Sequence, residues 1–196
     1  DLRANGVNIR RLDVGGGLGV PYGDGADPPH PDDYAAVIRR VADPLDVDLV
    51  FEPGRMIVAN AGALIARTIY VKRGAERSFL IIDAAMNDLI RPALYDAYHA
   101  IEPVRPRAGA AAPFDVVGPV CETGDRFASA RPLPPIAEGD LVAIMTAGAY
   151  GAAQSSQYNS RPLAPEVLVD GARWRIIRRR PSFDEMTALE RPPPAP

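Results

Sequence analysis

The residues best able to do chemistry come in short clusters at the ends of apolar runs. Gly118-Pro119-Val120-Cys121-Glu122-Thr123-Gly124-Asp125 sets the sole cysteine beside acids. Neighbouring carboxylates keep a thiol protonated, so Cys121 suits proton donation better than nucleophilic attack. The plainer reading is a small buried hydrophobe. A zinc site would need three or four ligands, and one cysteine with two histidines, His30 and His99, at unrelated positions does not supply them. Arg91 and Tyr95 are spaced i, i+4. On a helical turn they share a face and could read a carboxylate, or simply pack at a surface. Glu52-Pro53-Gly54-Arg55 offers a forked guanidinium for a phosphate or carboxylate, and an acid that could face a protonated ring nitrogen. A structural Glu–Arg pair beside a turn explains it equally well. Gly15-Gly16-Gly17 lets backbone N–H groups approach an anion, although glycine runs also make ordinary turns. Tyr150, between Ala149 and Gly151, could cover a flat ligand or occupy a plain turn.

These clusters need elements to hold them. Ile9 to Val14 reads as a strand ending in the glycine run, and a Pro/Gly/Asp-rich loop follows to Pro31. A helix is expected from Asp32 to Asp43, capped by Asp32 or Asp33, with Tyr34, Val37, Ile38 and Val41 as its apolar stripe. Asp48 to Glu52 is a second strand, which makes a parallel βαβ unit. Two such strands cannot bury both faces of a sheet by themselves. After a helical stretch from Met56 to Gly62 the pattern changes. Ala63 to Lys72, Ser78 to Asp83, Phe114 to Val120, Leu141 to Thr146, Glu166 to Asp170 and Trp174 to Arg179 read as strands. Turns such as Glu138-Gly139-Asp140 and Asp170-Gly171 separate them, which predicts an antiparallel barrel or sandwich.

Composition narrows the classes. A net charge of −3 over 196 residues gives no basic field for nucleic acid. The one dense cluster, Arg178 to Arg180, reads as a solvated strand end. No run approaches the ~20 apolar residues of a membrane span. One cysteine allows no internal disulfide and favours a reducing cytoplasm.

In this order the clusters resemble a known family. Leu12-Asp13-Val14-Gly15-Gly16-Gly17-Leu18-Gly19, Glu52 to Arg55, Asp83 to Tyr95, Gly118 to Asp125 and Gly148 to Gly151 are similar to motifs of the diaminopimelate decarboxylases, which belong to the fold-type III pyridoxal-phosphate-dependent decarboxylases. Tyr158 to Pro162 and Arg180 to Met186 look like the same family, so the resemblance covers nearly the whole chain. It implies an α/β plus all-β fold: the last two β/α units of an alanine-racemase-like (β/α)8 barrel at 1–62, then an antiparallel β-barrel or sandwich domain at 63–190. A proline-rich tail occupies 191–196. It also implies a homodimer with shared active sites and pyridoxal 5'-phosphate as cofactor. Gly16, Gly17, Glu52, Pro53, Gly54 and Arg55 would hold the cofactor, with Glu52 against the pyridine nitrogen and Tyr150 in contact with it. Arg55, Arg91, Tyr95, Glu122 and Tyr150 would bind substrate. Cys121, acting in the partner's site, would be the proton donor, with Tyr150 the other catalytic residue.

Decarboxylation fits these residues, since the electron pair left behind needs a protonated pyridine ring and a placed acid. A substrate with an amino-acid group at each end also needs a far-end carboxylate reader, which Arg91 provides; ornithine would not use it. The implied product is L-lysine from meso-diaminopimelate. The family holds its cofactor on a barrel lysine, whereas the single lysine here, Lys72, lies on an expected strand and matches nothing in that motif. The chain alone is therefore expected to be inactive. Rival expectations are a decarboxylase of ornithine or arginine, a racemase, and a non-catalytic dimerisation or binding module.

Overall fold

The computed structural model describes residues 2–23, 25 and 27–190, so the expected tail lies outside the described residues. Strands β1 (Arg11–Asp13) and β2 (Asp48–Val50) pair in parallel, Leu12 opposite Leu49. Helix α1 (Pro31–Ala42) crosses between them. Its cap is His30, not the expected Asp32 or Asp33: the His30 Nδ1 accepts from the Asp32 backbone N–H at 3.3 Å. Proline is pre-organised for the first helical position, so Pro31 sets the start and moves the cap back one residue. Val37 and Val41 on the apolar stripe stay 48% and 60% exposed, as does Phe51 beyond β2 at 44%. This parallel unit therefore leaves an apolar face uncovered. Helix α2 (Gly54–Val58) and a 3-10 turn (Ala59–Ala61) lead out of it.

A six-stranded sheet follows, built from β3 (Leu64–Arg73), β4 (Ser78–Ile82), β5 (Ile101–Pro103), β6 (Ala112–Val117), β7 (Arg126–Leu133) and β8 (Leu141–Ile144). The spatial order is β5-β8-β3-β4-β6-β7. It is not wholly antiparallel as expected, because β4 and β6 run parallel, Leu80 opposite Val116. The connection between them, through α3 (Arg91–Tyr95) and β5, is long enough for the crossover that a parallel pair requires. Strands β5 and β7 escape sequence reading for local reasons. The first is three residues ending in Pro103; the second contains Pro132 and Ala130 at φ +45°, and its pairing with β6 shifts register.

Leu80, Ile82, Phe114, Val116, Val142 and Ile144 form the centre of the core and are almost fully buried. Each contributes about 1.5–3 kcal/mol by burial. Side chains draw the two sheet edges together. Arg131 of β7 donates to the His99 carbonyl at 2.8 Å and lies 3.9 Å from the Tyr98 ring centre, just before β5. The sheet is thus nearly closed and barrel-like. Helix α4 (Gly151–Gln154) precedes a separate hairpin of β9 (Glu166–Asp170) and β10 (Arg173–Arg178), which turns at Gly171 as its sequence predicts. Arg178 pairs with Glu166 at 2.9 Å and Arg179 with Glu185. Glu185 belongs to the capping box that opens α5 (Phe183–Met186), and hydrogen bonding to Arg179 lowers its pKa to about 2. Among the described residues, no helix is long and apolar enough to cross a membrane.

Candidate active site

Arg55, Arg91, Tyr95, Tyr150 and Gln154 line one cleft of about 330 Å³. Four of these five are residues whose types and spacing stand out in the sequence. The expected helical turn exists as α3, so Arg91 and Tyr95 do share a face. Tyr150 adopts φ +65°, ψ −1°, a left-handed conformation that a non-glycine residue holds only where its surroundings enforce it. Two residues before it, Gly148 touches Gly62. A Cβ on Gly62 would come within 2.6 Å of the Gly148 Cα, and one on Gly148 would strike the Val58 carbonyl. Their close approach lets Gly148 N–H bond the Ala59 carbonyl at 3.0 Å and Ala147 N–H bond the Gly62 carbonyl at 2.8 Å. The end of α2 is thereby docked on the Tyr150 segment. The Arg55 guanidinium then lies 5.7 Å from the Tyr150 ring centre, and that of Arg91 lies 5.9 Å away. Two cations beside one aromatic ring make a receptor for a flat, anionic group.

Arg91 is 8% exposed and is held from several directions. Its Nη1 lies 2.9 Å from His99 Nε2, and its guanidinium sits 4.8 Å over the Tyr22 ring. His99 Nδ1 in turn lies 2.9 Å from the Met145 carbonyl. Burial lowers the His99 pKa below its ordinary 6.5, Arg91 and Arg131 lower it further, and the Met145 bond opposes them. Neither His99 nor Tyr22 emerges from sequence reasoning as a site residue. Helix α3 stops at Tyr95, with Asp96 left-handed at φ +51°, so no helical spacing links Arg91 to His99.

The glycine run and the Glu52 loop meet at the ends of β1 and β2. The Glu52 N–H donates to the Gly15 carbonyl at 2.9 Å. Any side chain on Gly16 would collide with the Glu52 carbonyl, while Gly17, at φ +85°, faces open space. Two polar atoms, Arg55 Nε on this loop and the hydroxyl of Tyr22, the ring beneath Arg91, are buried without a protein partner. Buried polar groups are rarely left so, and both fit a bound polar group such as a phosphorylated cofactor.

Cys121 and Glu122 stand apart from this cleft. Cys121 is an exposed free thiol, which contradicts the plain expectation of a buried small hydrophobe. The reason is that residues 119–123 form a surface loop pinned from beneath by Asp125. That carboxylate is 4% exposed and accepts from Met86 N–H at 2.7 Å and Val120 N–H at 2.8 Å. Burial raises its pKa, and the two backbone donors oppose the shift. Glu122 accepts from the Tyr158 hydroxyl at 3.3 Å and lines a second cleft, of about 290 Å³, with Met86, Asn87, Ile90 and Ser156. Lys72 is exposed on β3 and lines neither cleft.

The family model for the C-terminal sheet domain of the pyridoxal-dependent decarboxylases matches residues 26–148. The chain belongs to that family. It is 53% identical over 189 residues to a diaminopimelate decarboxylase of Pseudomonas aeruginosa and 51% over 190 residues to one of Vibrio cholerae. In both comparisons 96% of this chain aligns, and it spans 45% of the relative's length. Its fold is similar to the crystal structure of diaminopimelate decarboxylase from Helicobacter pylori complexed with L-lysine, with TM-score 0.89 and 43% identity, covering 96% of this chain and 46% of that one. The lysine/ornithine decarboxylase of Vibrio vulnificus, complexed with cadaverine, is more distant, at TM-score 0.73 and 27% identity over 83% of this chain and 45% of that one.

Proposed function

We propose that this chain is the C-terminal half of a pyridoxal-phosphate-dependent decarboxylase that converts meso-2,6-diaminopimelate to L-lysine in lysine biosynthesis, in the cytoplasm. The observation that carries the reading is the single cleft holding Arg55, Arg91, Tyr95 and Tyr150. On this reading β1, α1 and β2 are the last two β/α units of a (β/α)8 barrel that ends near Gly62. Their parallel pairing and uncovered apolar face support that assignment.

When bound, pyridoxal phosphate supplies the electron sink that decarboxylation needs. Gly16, Gly17, Pro53, Gly54 and Arg55 would hold its phosphate, and Glu52 would keep the ring nitrogen protonated. Tyr150, whose ring lies beside the Arg55 and Arg91 guanidinium groups, would contact the cofactor. Arg55, Arg91 and Tyr95 bind substrate carboxylate, Arg91 and Tyr95 at the far end. Cys121 and Glu122 lie outside this chain's own arginine-lined cleft, as expected of residues that complete a site across a homodimer. There, Cys121 of the partner subunit gives the proton and Glu122 of the partner subunit takes the substrate ammonium.

The test is turnover of the complete polypeptide on meso-diaminopimelate, ornithine and arginine. Preference for diaminopimelate, lost in Arg91→Ala mainly through a higher KM, is expected. Equal or better turnover of ornithine overturns the substrate reading. Full activity of the 196-residue chain alone overturns the reading as half an enzyme.

A further inference from the structure

Arg91 is a buried cation, and among the described residues no carboxylate forms an ion pair with it. A buried charge without a counter-ion is costly and needs other partners. The partners present are all neutral: the Tyr22 and Tyr150 rings and the His99 imidazole. The proton on that imidazole can be placed from its contacts. A carbonyl only accepts, so the nitrogen 2.9 Å from the Met145 carbonyl, Nδ1, must carry the hydrogen. In the neutral ring Nε2 is then a lone pair, aimed at Arg91 Nη1.

Two further contacts hold His99 in place. Tyr22 packs edge-on at 5.2 Å, and Arg131 of β7 grips the His99 carbonyl. The residue itself is 1% exposed. The charged groups facing it are Arg91 and Arg131, both cationic, and no carboxylate is hydrogen-bonded to its ring among the described residues. Burial and these two cations favour the neutral ring.

We propose that His99 is a positioning residue: a neutral acceptor that aims the Arg91 guanidinium without neutralising it, leaving its full charge for the carboxylate of the ligand. An aspartate in its place would hold Arg91 equally well but would quench the charge the ligand needs. The inference rests on the substrate role given to Arg91 above. It carries a pH signature. A proton on Nε2 sets donor against donor and cation against cation, so ligand binding weakens on the acid side, at a pH below the ordinary histidine range because burial and the two cations lower the His99 pKa.

The experiment uses the complete enzyme with His99→Leu, which removes the acceptor, and His99→Gln, whose amide can serve both Met145 and Arg91 but does not titrate. KM and kcat for meso-diaminopimelate are measured from about pH 5 to 8. The His99 ring is followed by nitrogen NMR, its signal assigned by its loss in His99→Gln. Leucine is expected to raise KM about tenfold with a smaller change in kcat. Glutamine should restore most of KM and remove its acid-side rise. The His99 signal should report a bare Nε2 at neutral pH and titrate higher in Arg91→Ala. If Arg91→Ala raises KM but His99→Leu does not, the tether is overturned alone. If Arg91→Ala leaves KM unchanged, the substrate reading falls, and the tether's function with it. An Nε2 that carries hydrogen at neutral pH, or a His99 midpoint unmoved by Arg91→Ala, also overturns the proposal.

Discussion

At the scale of single residues, the candidate groups divide between those that are held tightly and one that is held open. Arg91 and His99 are buried and bonded on several sides, whereas Cys121 stands exposed on its loop. An exposed thiol is what a donor reaching into another subunit's site requires. Cys121→Ala in the complete enzyme is therefore expected to lower kcat by about 10²-fold or more, the usual scale for a lost general acid, with little change in KM. Steady-state kinetics on meso-diaminopimelate provides the check, and unchanged turnover removes the role. Arg55, Arg91, Tyr95 and Tyr150, which share one cleft, each stand in a short cluster that the sequence shows. His99 does not, because a lone histidine on an irregular segment has no spacing to betray its partner.

Among the elements, the 118–125 loop depends on one buried carboxylate. Asp125 ties it to the Ala84–Asp88 segment through the Met86 and Val120 N–H groups. Asp125→Ala leaves both part-buried donors without their partner, at up to about 1–3 kcal/mol each. A loss of a few kcal/mol in stability is expected, read as a lower urea midpoint, and a midpoint within error of the parent contradicts the clamp. Most element positions follow from local pattern: α1 from its apolar stripe, though not its start at Pro31, β3, β4, β6 and β8 from β-favouring runs, and the β9–β10 turn from Asp170-Gly171. The parallel β4–β6 pair does not, since strand direction depends on where a long crossover returns the chain.

For the whole molecule, the uncovered surface is the informative feature. Val37, Val41 and Phe51 on the parallel unit, and Trp174 and Ile176 on the hairpin, are each more than 40% exposed. Apolar area of this kind marks an interface. The 196-residue chain by itself is expected to bind a hydrophobic dye and to self-associate, and the complete polypeptide to do so far less. Equal dye binding by both would count against the barrel-remnant reading. By itself, the sequence determined the order of the clusters, the residue types that could meet a flat anionic ligand, and the change from a βα unit to a sheet near Gly62. These are local properties, written in side-chain chemistry and short-range periodicity. Only the tertiary structure decided that Arg55 and Arg91 flank one tyrosine, and that His99 stands behind Arg91. It also decided that Cys121 and Glu122 do not line that cleft. Such placements depend on how distant segments pack, here two glycines 86 residues apart in sequence, Gly62 and Gly148, allowed to touch because neither has a side chain.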